Sequence, residues 1–394
     1  MTLALIPLRK VFAALGTSAV LAACTSPPAK PPGGAHATLH VEGHDIEPFA
    51  RRGYLVQSRQ PVITHREQLS TSTDTVDLLL LRPEHGAPQP LVVYLPGLGE
   101  TVDAGESLRQ TWAEAGYAVL SLQATSDGPS VWASSAARDG DFAGIARLSL
   151  APARVRSRAA ALHEVLAKLS ALGALADSPY ARINFDRIAL AGFELGAAGA
   201  LIAGERSSDT GAPPQDSARI VAIIAIAPFP ADTTELDPAD ATRPPVLYVT
   251  GRASDRYRLG GRSPQPQTAE VRRMLGRDAA LSLPSADHAV LSGTPSSGSH
   301  PEAGRRRTPA GEPGTSPASG DFVRPETGGR PARGMSRSPD GPDPRLDGER
   351  ERARIAIRSV TLAFLDARVL HDPAADYWLS QRAGDWLGAL GEFR

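Results

Sequence analysis

Apolar residues recur along the chain in two rhythms. Some runs are apolar on both faces: Leu91-Val92-Val93-Tyr94-Leu95, Ile220 to Ile226, and Val246-Leu247-Tyr248-Val249. Such runs suit strands of a parallel sheet covered on both sides. Gly53 to Ser58 and Val76 to Arg82 are predicted as the first strands, with Tyr117 to Leu122, Arg187 to Ala191 and Ala280 to Leu283 as later ones. The second rhythm is helical. From Pro152 to Leu172, residues Val155, Ala159, Leu162, Val165, Leu166 and Leu169 share one face. Shorter helices are predicted at Ser107 to Ala115, Ala197 to Gly204 and Thr268 to Leu275, and a long one at Arg350 to Val369. Trp378, Leu379, Trp386 and Leu387 supply apolar anchors for a terminal cap. This alternation predicts a single α/β domain with a mostly parallel central sheet and helices on both faces.

Three stretches follow neither rhythm. Gln123 to Leu148 is irregular and holds Trp132, Arg138 and Phe142. Residues 293–348 are rich in Pro, Gly, Ser and Arg, with few large apolar side chains to offset the entropy of ordering them. A disordered insertion is predicted there, with residues 349–394 completing the domain that begins near residue 49. Thr25 to Gly43 has a similar composition and reads as a flexible tether, within a linker of residues 24–48. His36, His40 and His44 recur in it every four residues, but Pro31-Pro32-Gly33-Gly34 upstream gives no rigid helix, so no metal site is expected.

The first 23 residues read as an export signal. Arg9 and Lys10 form a basic flank, and Val11 to Ala22 an apolar run too short to span a bilayer. Leu21-Ala22-Ala23-Cys24 resembles a bacterial lipobox, which implies a lipid on Cys24 and an envelope protein anchored by that lipid alone. Thr25 after the cysteine favours the outer membrane, facing the periplasm. Cys24 is the only cysteine, so neither a disulfide nor a cysteine metal site is available. A net charge of −1 gives no electrostatic argument for nucleic acid as a partner.

The chemistry gathers around Gly192-Phe193-Glu194-Leu195-Gly196. A buried strand, a turn flanked by glycines and a small-residue helix are the parts of a nucleophile elbow, G-x-S-x-G, with Glu194 where serine would stand. Pro96-Gly97-Leu98-Gly99-Glu100 ends an earlier strand, Asp255 follows the strand ending at Thr250, and His288 follows the last predicted strand. Strand, elbow and motif order resemble the α/β-hydrolase superfamily, closest to its dienelactone hydrolase and platelet-activating-factor acetylhydrolase-like branches. The resemblance covers most of residues 53–292 and the terminal helices. It implies an acid at Asp255, a histidine at His288 and an oxyanion hole from the amides of Leu98 and Leu195. Asp278, Asp237 and Asp240 are rivals for the acid, and Asp287 reads as a turn residue.

Glu194 narrows the chemistry. Its carboxylate needs no base to be charged, and attack on an ester would give an anhydride. It suits substitution at saturated carbon, base catalysis on water, or a fixed ion pair with protonated His288. The readings are a hydrolase of a small ester, lactone or related substrate, or a non-catalytic relative that binds a small ligand or partner. No cofactor is expected. Nucleotide binding is disfavoured: there is no G-x-G-x-x-G or G-x-x-x-x-G-K-[ST], and Glu194 would set a negative charge against phosphate.

Overall fold

The computed structural model describes residues 46–204, 220–228, 243–252, 278–293 and 344–394. A short helix, α1 (Ile46–Arg52), precedes the sheet. The strands are β1 (Val62–Ser70), β2 (Thr75–Pro83), β3 (Gln89–Leu95), β4 (Ala118–Ala124), β5 (Ile183–Phe193), β6 (Ile220–Ile226), β7 (Val246–Thr250), β8 (Ala279–Ser282) and β9 (Glu392–Phe393). They form one sheet in the order β1-β2-β4-β3-β5-β6-β7-β8-β9. Pairing is parallel from β4 through β8 and antiparallel at β1–β2, β2–β4 and β8–β9. A mostly parallel sheet with an antiparallel second strand, crossing back at β3 and β4, is the α/β-hydrolase type of fold, as expected.

Between and after the strands run α2 (Glu106–Glu114), α3 (Ser135–Arg138), α4 (Phe142–Ser149), α5 (Pro152–Gly173), α6 (Leu195–Gly204), α7 (His288–Leu291) and α8 (Pro344–Leu365). A π-turn (Asp366–Leu370) then leads to α9 (Pro373–Gln381) and α10 (Ala383–Leu387). The sheet's side chains alternate between two apolar layers, as a period of two requires. Leu79, Val92, Tyr94, Val119, Ala191 and Phe193 face Trp112 of α2 and Ile357, Val360 and Phe364 of α8. Leu78, Leu80, Leu91, Val93, Leu120 and Leu190 face Leu162, Val165 and Leu169 of α5 and Ala197, Ala200 and Leu201 of α6. Helices therefore cover both faces. Among the described residues no helix is long and apolar enough to cross a membrane.

Two features differ from the sequence reading. Gly53 to Ser58 is not a strand. Tyr54 leaves α1 to pack its ring against Trp378, at 5.6 Å, and its hydroxyl donates to Asp366 at 2.8 Å, so tertiary contacts hold this stretch. The first strand is Val62–Ser70 instead, an edge strand with a mostly polar sequence, whose nine residues pair with β2 throughout. Helical structure also begins at Ile46 and at Pro344, a few residues inside the segments expected to be tether and insertion. Residues 24–45 of the tether and 294–343 of the insertion lie outside the described residues, as do Cys24, His36, His40, His44, the export signal and the helix expected at Thr268 to Leu275.

Candidate active site

The elbow is built by two glycines and one strained glutamate. β5 ends at Phe193, α6 starts at Leu195, and Glu194 between them has φ 48°, in the left-handed region that a side chain rarely adopts. Such a conformation costs on the order of 1–3 kcal/mol and persists only where its surroundings hold it. Here the Glu194 amide donates to Ile226 O at 2.9 Å, and its carbonyl accepts from Ala198 at 3.1 Å. A methyl group on Gly192 would lie 2.3 Å from the backbone of Gly196, and one on Gly196 would lie 1.9 Å from Leu95 O. Only glycine lets the strand, the turn and the helix approach this closely. The turn carries Glu194, 7% exposed, to the carboxyl end of the strands, where open α/β sheets hold their ligands.

His288 meets it there. The last parallel strand ends at Ser282, and Asp287 caps α7 by accepting from Val290 N at 3.0 Å, so it is the turn residue that was expected. The next residue, His288, places Nδ1 3.0 Å from Glu194 Oε1. Its ring meets Phe193 edge-on at 5.1 Å. The His288 side chain is 37% exposed, so a molecule from outside can reach the pair.

The turn after β3 forms the third side, and a buried amide holds it. Gln123, at the end of β4, donates from Nε2 to Gly97 O at 3.0 Å, Glu100 O at 3.0 Å and Asp127 O at 3.1 Å. Asp127 is itself fixed by a two-pronged pair with Arg158 and by Arg154 at 3.3 Å. Gly99 donates to Asp127 O at 2.7 Å, while the Trp132 indole lies against Gly99 and donates to its carbonyl at 3.2 Å. The irregular segment after β4 thus covers this turn. The amides of Leu98 and Leu195 donate to no acceptor among the described residues, and the Leu98 side chain packs against the small cluster of Val155, Leu195 and Ala198.

Glu100 closes that turn. Its Oε2 accepts from Gly97 N at 2.7 Å, and a methyl group on Gly97 would touch both this oxygen, at 3.1 Å, and the Phe193 ring, at 3.0 Å. Burial pushes its carboxyl above the usual carboxylate range. The Gly97 hydrogen bond opposes this, the Glu194 charge adds to it, and His288 opposes it. Below lies Tyr94, whose buried hydroxyl has no hydrogen-bond partner among the described residues. A cavity of about 40 Å³ beside the elbow is lined by Pro96, Gln123, Leu195 and Gly196. A larger groove of about 580 Å³, between Tyr54, Gln110 and Ile355, touches none of these residues.

The structure therefore brings Glu194, His288, Leu98 and Leu195 together. Asp255, Asp237 and Asp240 lie outside the described residues. Asp278 is excluded as a partner of His288: it precedes β8, at the opposite end of the strands, and is buried against Arg243 with Nη2–Oδ2 2.6 Å. Among the described residues no group of three or more His, Cys, Asp or Glu side chains is placed to hold a metal ion. The sequence assigns Glu100, Gln123, Asp127 and Trp132 no individual role, although the last three fall in or at the start of the irregular stretch Gln123 to Leu148. An acid three residues beyond Gly97 in a strand-end turn was the one available signal.

No protein-family model and no curated protein matches the sequence. Among solved structures, the chain is similar to a ferulic acid esterase from Streptomyces cinnamoneus, at 21% identity over 60% of this chain and 78% of that one, with a TM-score of 0.43.

Proposed function

We propose that the protein is a hydrolase of a small ester, lactone or related substrate, in which the Glu194–His288 pair activates water. The observation that carries this reading is the 3.0 Å contact between His288 Nδ1 and Glu194 Oε1 at a strained, glycine-built elbow. As one hydrogen-bonded unit the pair takes a proton from water that attacks the substrate carbonyl, and the amides of Leu98 and Leu195 hold the oxyanion. Asp255 stands in the family's acid position. Base catalysis is favoured over attack by the carboxylate itself, because Glu194 Oε1 is engaged by His288. The dienelactone hydrolase-like branch remains the family reading, and Cys24 the lipid anchor to the outer membrane, with no nucleic-acid partner.

The test is hydrolysis of a short aryl ester, a lactone, an epoxide and a haloalkane by the purified protein. Ester or lactone turnover is expected, lowered about 10²–10⁴-fold in Glu194→Gln and in His288→Ala. Turnover unchanged in Glu194→Gln would sink the role of the pair. Preference for the epoxide or haloalkane would move Glu194 to the nucleophile role. The absent serine supports a second reading, a non-catalytic relative that binds a small ligand. Silence in the native protein, with ester cleavage appearing in Glu194→Ser, would select it. The anchor is tested by feeding cells labelled palmitate: label is expected in the native chain and none in Cys24→Ala.

A further inference from the structure

A backbone amide has no side chain to steer it, so it is aimed only by fixing the plane of its peptide unit. We infer that Gln123 is a positioning residue that aims the Leu98 amide, so that its N–H meets the oxyanion formed on an ester or lactone carbonyl. The inference rests on the hydrolase reading above.

Gln123 grips the peptide unit that carries this donor. The carbonyl of Gly97 and the N–H of Leu98 share one planar unit and point in opposite directions. Gln123 Nε2 donates to that carbonyl at 3.0 Å, which turns the Leu98 N–H away from Gln123. Glu100 N donates to the same oxygen at 3.2 Å, so both of its lone pairs are filled. Gly99, between them, has φ 76°, close to the value that the third residue of a type II turn takes. Hydrogen bonds on a carbonyl also polarise its peptide unit and make the N–H a stronger donor. A second bond from Nε2, to Glu100 O at 3.0 Å, holds the far end of the turn. The turn stands against the elbow: a methyl group on Gly97 would lie 3.0 Å from the ring of Phe193, the residue before Glu194.

The side-chain amide has one workable orientation. Three carbonyl oxygens converge on a single terminal atom of Gln123, Asp127 O at 3.1 Å being the third, and only the nitrogen has hydrogens to offer them. Gln123 is 7% exposed, so a donor lost there leaves those carbonyls short of a partner. The third carbonyl is braced from outside. The Asp127 carboxylate is buried and gripped by Arg158, which donates in turn to Ser149 O at 2.6 Å, at the end of α4. Asp127 O also accepts from Gly99 N at 2.7 Å. Every bond that Gln123 donates goes to the main chain of the turn or of Asp127, so its effect on turnover passes through the turn.

Two variants of the full-length chain test this. Gln123→Met keeps an unbranched side chain of similar length and removes both N–H groups, whereas Gln123→Glu keeps the shape and offers one O–H at most. Turnover of a short aryl ester is compared with that of its thionoester, in which sulfur, a poor hydrogen-bond acceptor, replaces the carbonyl oxygen. Urea unfolding gives the folded fraction of each protein. Gln123→Met is expected to lower kcat per folded molecule about 10–10²-fold with KM near native, short of the 10²–10³-fold that deleting an oxyanion donor costs. The preference for ester over thionoester should shrink by a similar factor, with Gln123→Glu between Gln123→Met and the native protein. Native kcat in either variant, or an unchanged preference for the ester, would reduce Gln123 to packing and overturn the positioning role. Failure of both variants to fold would overturn it as well, by making Gln123 a requirement of the fold alone. In each of these cases native turnover that falls in Glu194→Gln leaves the hydrolase reading standing. A native protein that cleaves no ester would overturn that reading and this role with it.

Discussion

Replacing Gly196 by alanine is expected to remove most of the folded protein, whereas the same change at Gly199, one helical turn on, is expected to be harmless. A methyl group at 196 would lie 1.9 Å from Leu95 O and 2.6 Å from Pro96 O, which are backbone atoms with no rotamer to escape into. Relief requires α6 to move off the end of β3. Overpacking of this kind costs about 1–3 kcal/mol in ordinary cores and more where backbone must shift. At 199 the nearest atom is Leu95 Cδ1 at 3.6 Å, an ordinary contact, so alanine there gains about 0.5–1 kcal/mol of helix propensity. Urea unfolding of the two variants checks this. A Gly196→Ala midpoint equal to the native one would show that α6 does not pack on β3 as described. The folded fraction of Gly196→Ala should also lose turnover, because the Leu195 amide begins the helix that is displaced.

That the elbow was legible in the sequence follows from the same constraint. Close approach of strand and helix admits only glycine at 192 and 196, so the requirement is written as residue type at fixed spacing. The buried strands were legible for a similar reason, since β3, β6 and β7 must be apolar on both faces. β1 was not. It is an edge strand whose side chains are largely exposed, and its order comes from backbone pairing with β2, which leaves little periodic trace. Tyr54 shows the converse: its neighbours Leu55 and Val56 have strand propensity, but contacts with Trp378 and Asp366, far along the chain, decide the conformation. His288 could be placed by its order after the last strand. Glu100 could not, because its significance lies in burial and in the charges of Glu194 and His288, neither of which local sequence reports. Gln123 is alike: an amide at a strand end gains meaning only when three carbonyls converge on it.

Asp278→Asn should separate stability from chemistry most cleanly. The carboxylate accepts from Arg243 Nη1 at 3.0 Å and Nη2 at 2.6 Å, and from Val246 N at 2.9 Å, with the two side chains 1% and 6% exposed. It thereby joins the start of β7 to the start of β8. Asparagine keeps the shape but removes the charge that balances the buried guanidinium. Breaking one side of such a pair costs about 3–5 kcal/mol, a large part of the 5–15 kcal/mol that holds a typical domain. The midpoint of urea unfolding is therefore expected to fall steeply. Replacing both partners with apolar residues of similar volume should recover much of the loss, since an uncompensated charge is what the single change leaves behind. Turnover per folded molecule should stay near the native value, because Asp278 stands at the end of the sheet opposite Glu194 and His288. A variant with native stability and collapsed kcat would instead place Asp278 in the chemistry.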